Sequence, residues 1–233
     1  MSRAAPGLRS ARAPLGAGIA LVLLGTGLWS LSTGAGVNWG LLAGRLAGEM
    51  LLPVLGLGFA TGLRGGSVAP VGLALAVGAG LGTLARAPFL AAMALLPNAS
   101  THAFLTGPLA GLCVGLALFA QGTRLAAPLL ALAALATGAM GAIAVRLLDP
   151  SFHDPLVPVL AGLALLALGC AACALARALP PGARRLAARI LGAWVLAVAL
   201  LYGGATLAFR GRAVLPSAAG RMGPAESTPF PEF

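Results

Sequence analysis

Seven apolar runs recur along the chain between short polar breaks, each near the ~20 residues that an α-helix needs to cross ~30 Å of hydrocarbon. They extend from about Pro14 to Leu31, Leu41 to Leu63, Val68 to Leu90, Ala103 to Ala120, Leu125 to Leu147, Leu156 to Ala176, and Ile190 to Phe209; the third can continue to Leu96. Inside a bilayer each segment must satisfy its own backbone N–H and C=O groups, and an α-helix does so without help from its neighbours. The expected fold is therefore all-α: a polytopic transmembrane helical bundle of about seven helices, or six if the first is cleaved.

Composition agrees. Hydrophobic residues make up 59% of the chain and charged ones 9%, whereas soluble domains carry about a quarter charged residues. The 34 glycines point the same way. Each would cost about 1 kcal/mol relative to Ala in a soluble helix, but between membrane helices small residues let backbones approach closely. Gly78-Ala79-Gly80-Leu81-Gly82, the Gly107, Gly111 and Gly115 series, and the Gly138 and Gly141 pair are expected to be such contact faces.

The connections Ser32–Gly40, Arg64–Ser67, Pro97–Thr101, Gln121–Arg124, Asp149–Pro155 and Pro180–Arg189 are short, so consecutive helices should be antiparallel. The chain divides into a basic cytoplasmic N-terminus (1–12), the bundle (13–210) and a polar, Pro-rich tail (211–233) expected to be disordered.

All 15 basic residues are Arg, which excludes chemistry that needs a Lys. A net charge of +10 would point to nucleic acid in a soluble protein. Here the arginines lie between apolar runs, so the lipid bilayer is the expected partner and nucleic acid is not. With alternating helices, Arg3, Arg9, Arg12, Arg64, Arg124, Arg177, Arg184, Arg185 and Arg189 fall on one side, and Arg146 lies on the other with Asp149 and Asp154. The Arg-rich side is cytoplasmic, which implies a bacterial inner membrane with the N-terminus inside. Arg210, Arg212 and Arg221 then run against the rule. The first segment also has the basic start and apolar stretch of a secretory signal. No good small-residue cleavage site follows it, Thr33-Gly34-Ala35 being the nearest, so an uncleaved helix is expected.

Few groups remain to carry chemistry. Arg45 and Glu49 are four apart in the second run and share a helix face. Charges inside a membrane usually serve function, because burying one alone costs ~3 kcal/mol. They are either a gate or ion-coupling element, or interfacial residues of a helix that starts late. Arg86 can snorkel to the interface or attract an anion or Glu49, and Pro88 predicts a kink beside it. His102, after Asn98, Ser100 and Thr101, and the group Asp149, His153 and Asp154 fall on the periplasmic side. Together they form a possible metal or solute mouth with imidazole and carboxylate ligands, or ordinary loop polarity with Asp-Pro turns. No resident cofactor is evident, and a transient divalent transition metal is the one candidate. Cys113, Cys170 and Cys173 lie in apolar runs and read as small packing residues. No nucleotide-binding or hydrolase motif is present, so an enzyme is not expected.

The second half carries a polar loop, Asp149-Pro150-Ser151-Phe152-His153-Asp154, between two apolar spans, then an Arg-rich turn, then Arg189-Ile190-Leu191-Gly192-Ala193-Trp194-Val195-Leu196-Ala197 opening the last helix. This arrangement resembles the HupE/UreJ-type hydrogenase and urease accessory membrane proteins over about the last hundred residues. The resemblance implies a small inner-membrane protein of accessory or permease type, with a nickel-type ion as cargo. The family's His-rich motifs are absent, so no nickel ligand is carried over. The expected function is a permease-like or accessory protein moving a metal ion or small solute. The alternative is a non-transporting scaffold or assembly subunit, with a membrane-complex partner or a second copy of itself.

Overall fold

A computed structural model describes residues 6–29, 39–94, 105–148 and 156–208. Among them all regular structure is helical, in eight helices: α1 (Pro6–Trp29), α2 (Trp39–Arg64), α3 (Ala69–Leu84), α4 (Arg86–Ala94), α5 (Thr106–Phe119), α6 (Ala126–Leu148), α7 (Leu156–Ala178) and α8 (Pro181–Ala208). Five stretches are long and apolar enough to cross a membrane: Ala11–Trp29, Leu46–Arg64, Ala126–Val145, Val159–Ala178 and Pro181–Ala205. The pair α3 and α4, bent by 66°, makes a sixth if it counts as one span. The fold is a transmembrane helical bundle.

Each of the seven expected apolar runs carries helix among its described residues, with three informative differences. The third run breaks at Ala85 between α3 and α4. Pro88 has no N–H to give to Leu84, four residues back, so the helix cannot continue straight through. The fourth run yields only the 14 residues of α5, which rise about 21 Å, short of the ~30 Å hydrocarbon thickness. The last helix starts at Pro181, so the expected connection Pro180–Arg189 is mostly helix. Pro is well placed in a first helical turn, and the Ala and Arg residues that follow are good helix formers.

Glycine positions the helices. A Cβ at Gly58 would overlap the Gly169 carbonyl, and one at Gly62 would lie 2.7 Å from the Ala176 Cβ, so α2 packs backbone-to-backbone on α7. Gly78 and Gly82 of α3 meet Leu135 and Ala139 of α6, while Gly138 of α6 meets Leu75 of α3. The α5 series divides its work: Gly107 lies against Glu49 of α2, whereas Gly111 and Gly115 lie against Ala199 and Leu196 of α8. A step of four residues turns about 40° around a helix, so the series sweeps from one neighbour to the next. Gly141 is different, with only an ordinary 3.9 Å contact to the Met50 sulfur. Cys170 sits where Gly18 of α1 crosses α7, and the Cys173 carbonyl faces Gly62.

These crossings set directions. Gly58 pairs with Gly169 and Gly62 with Cys173, so α2 and α7 are parallel; Gly115 pairs with Leu196 and Gly192 with Leu118, so α5 and α8 are antiparallel. By the same reading α2, α5 and α7 run one way and α3, α6 and α8 the other. Arg64, Arg124, Arg177, Arg184, Arg185 and Arg189 consequently share one end of the bundle, as alternating helices require. That end is tied down: the Arg177 guanidinium donates to the Gly66 carbonyl (2.7 Å) and Arg184 to the Leu179 and Arg177 carbonyls (3.0 and 2.9 Å) at the end of α7.

The core lies where α2, α5, α6 and α8 meet, with Leu57, Ala60, Val114, Leu118, Leu130 and Val195 buried together. In α2, 61% of the apolar window is buried, against 6% in α1, which packs along α7 and is otherwise exposed.

Candidate functional site

Glu49 is the one carboxylate side chain among the described residues, so its surroundings decide what the bundle can do with charge. It sits on α2, four residues into the apolar window that opens at Leu46. The helix starts as early as Trp39, so Glu49 is helical, near the N-terminal end of that apolar window. The Thr106 hydroxyl donates to Glu49 Oε2 at 2.8 Å. Thr106 is fully buried and is the first residue of α5, so the positive end of the α5 dipole faces the acidic side chain.

Two residues let α5 come this close. Pro53 is buried in α2 and has no N–H to give to the Glu49 carbonyl, four residues back. That carbonyl instead lies against Gly107, where a Cβ would come within 2.5 Å of its oxygen. The proline thus opens one rung of the α2 ladder at the crossing with α5, and the glycine makes room for it.

Beside this contact is a cavity of about 150 Å³ between α2, α5 and α8, lined by Glu49, Pro53, Gly107, Pro108, Val195 and Tyr202 among others. Tyr202 is exposed and lines the cavity from α8. Toward the Arg-rich end, packed Leu57, Val114, Leu118 and Val195 close the path. The arrangement can hold a small cation with some of its water: one carboxylate, one hydroxyl, and apolar walls that keep the local dielectric low.

Thr106→Val keeps the shape and removes the donor. A hydrogen bond to a charged group contributes about 1.5–3 kcal/mol, so this variant is expected to lose about 2 kcal/mol in detergent-solubilised unfolding. Thr106→Ser should retain most of it.

The other expected site residues are not gathered here. Arg45 lies one helical turn before Glu49 on the α2 backbone, but its side chain lies outside the described residues. Arg86 is half-buried at the α3–α4 break, with its Nε buried without a hydrogen-bond partner, and it does not line the Glu49 cavity. His102, Asp149, His153 and Asp154 lie outside the described residues. Among the described residues no group of three or more His, Cys, Asp or Glu could hold a metal ion. Sequence reasoning passed over Thr106, Pro53 and Tyr202. Pro53, four residues after the single acidic residue of a span, was the signal available for one of them. No protein-family model matches this chain, and neither a curated protein nor a solved structure matches it.

Proposed function

We propose that the chain is a permease-like or accessory protein of a bacterial inner membrane, its N-terminus cytoplasmic, that passes a small cation or cationic solute through the cavity between α2, α5 and α8. One observation carries this reading: the only described carboxylate lies inside a span, bonded to Thr106 and lining a cavity. Acidic residues within membrane spans are rare and mark ion or substrate pathways by default.

Glu49 attracts the cation from the end opposite Arg64, Arg124 and the arginines of α8, and Thr106 orients the carboxylate. Release on the other side requires the Leu57, Val114, Leu118 and Val195 plug to separate. The Gly crossings, which have few interlocking side chains, are where helices can slide. The HupE/UreJ resemblance makes a nickel-type divalent ion one cargo to include.

Purified protein in liposomes, assayed for flux of monovalent and divalent cations against empty liposomes, tests this reading. Flux above the empty vesicles supports it; no flux of any of them, with a stoichiometric partner retained on mild extraction, supports a scaffold subunit instead. The open flank of α1 favours that second reading, because it leaves a full helix side for a partner to cover.

A further inference from the structure

α8 has 28 residues and so rises about 42 Å, roughly 12 Å more than the hydrocarbon it would cross. The excess corresponds to about eight residues, the length of the Arg-bearing stretch that follows Pro181. Within that stretch Arg184 is committed to the Leu179 and Arg177 carbonyls. Arg185 and Arg189 are exposed and four apart, so they form one vertical stripe. Alongside it runs a second exposed stripe, Leu186, Ile190, Trp194, Ala197 and Leu201, which continues down the helix into the bilayer. The one described carboxylate, Glu49, is about 22 Å back along α2 from Arg64.

We propose that this face of α8 is a binding site for an anionic phospholipid. The headgroup phosphate lies between Arg185 and Arg189, and an acyl chain follows Ile190, Trp194 and Leu201. Guanidinium groups pair with phosphate oxygens through two parallel N–H donors. The apolar stripe selects a lipid over a soluble anion, and the paired positive charges would repel a second copy of the same face. The site is independent of the transport reading.

Native mass spectrometry of the full chain in mild detergent tests it, with phosphatidylglycerol and phosphatidylcholine of identical acyl chains. The wild type is expected to hold phosphatidylglycerol about thirtyfold over phosphatidylcholine, from two Arg near the headgroup. R185Q/R189Q should lose that preference, whereas R12Q/R64Q, which removes the same charge elsewhere, should keep it. Inorganic phosphate in excess should not displace the lipid. Equal binding of both lipids by the wild type would overturn the proposal. So would an unchanged preference in R185Q/R189Q, an equal loss in R12Q/R64Q, or displacement by phosphate, which would mark a soluble-anion site. Circular dichroism spectra matching the wild type establish that the variants fold.

Discussion

Glu49→Gln is expected to lower cation flux through the reconstituted protein by about tenfold or more while leaving the fold intact. The substitution preserves shape, and the amide oxygen still accepts from Thr106 at the position now held by Oε2. The negative charge is lost. A unit charge about 4 Å from a cation at an effective dielectric near 20 contributes about 4 kcal/mol, and a third of that already corresponds to tenfold. Glu49→Asp keeps the charge but retracts it, and should fall between. The comparison is made on initial rates at equal protein density in the vesicles. Equal flux for wild type and Glu49→Gln, with every cation tried, would remove the carboxylate from the mechanism.

Gly58→Val is expected to be the most destabilising single change in the α2–α7 contact. The added Cβ would overlap the Gly169 backbone carbonyl, and neither backbone has a flexible end that can move aside. Overpacking costs about 1–3 kcal/mol even where side chains can adjust, so a loss of about 3 kcal/mol or more is expected in detergent-induced unfolding. Gly72→Ala is the control. Nothing lies within 4 Å of a Cβ there, and Ala is the better helix former, so its stability should stay level or rise slightly. If both variants unfold alike, close glycine packing does not hold α2 to α7.

The membrane fold was legible because hydropathy alone forces it: runs of the right length, with almost no charge, have one stable environment. Helix directions were also legible, since short breaks and arginines on alternate connections leave little choice of topology. What pairs with what was not. Gly107 and Gly111 look alike in sequence, yet one faces Glu49 and the other Ala199, because the series turns around α5. The start of α8 was misread because Arg184, Arg185 and Arg189 look like a loop by charge, although nothing in Ala-Arg-Arg-Leu-Ala-Ala-Arg opposes a helix. Glu49 stood out from its charge, but its partner Thr106 lies 57 residues away and belongs to a helix whose packing no local pattern specifies.

Glu49 lines a cavity near the end of the bundle opposite Arg64 and Arg185, and the proposed function requires that it be reached from that side. Glu49→Cys, in a chain carrying C113A, C170A and C173A, can be probed in oriented vesicles with a membrane-impermeant cationic thiol reagent and compared with Arg185→Cys in the same background. The account predicts that both cysteines react, each from one side only, and from opposite sides. Reaction of both from the same side, or of the cysteine at position 49 only after the bundle is unfolded, would contradict it.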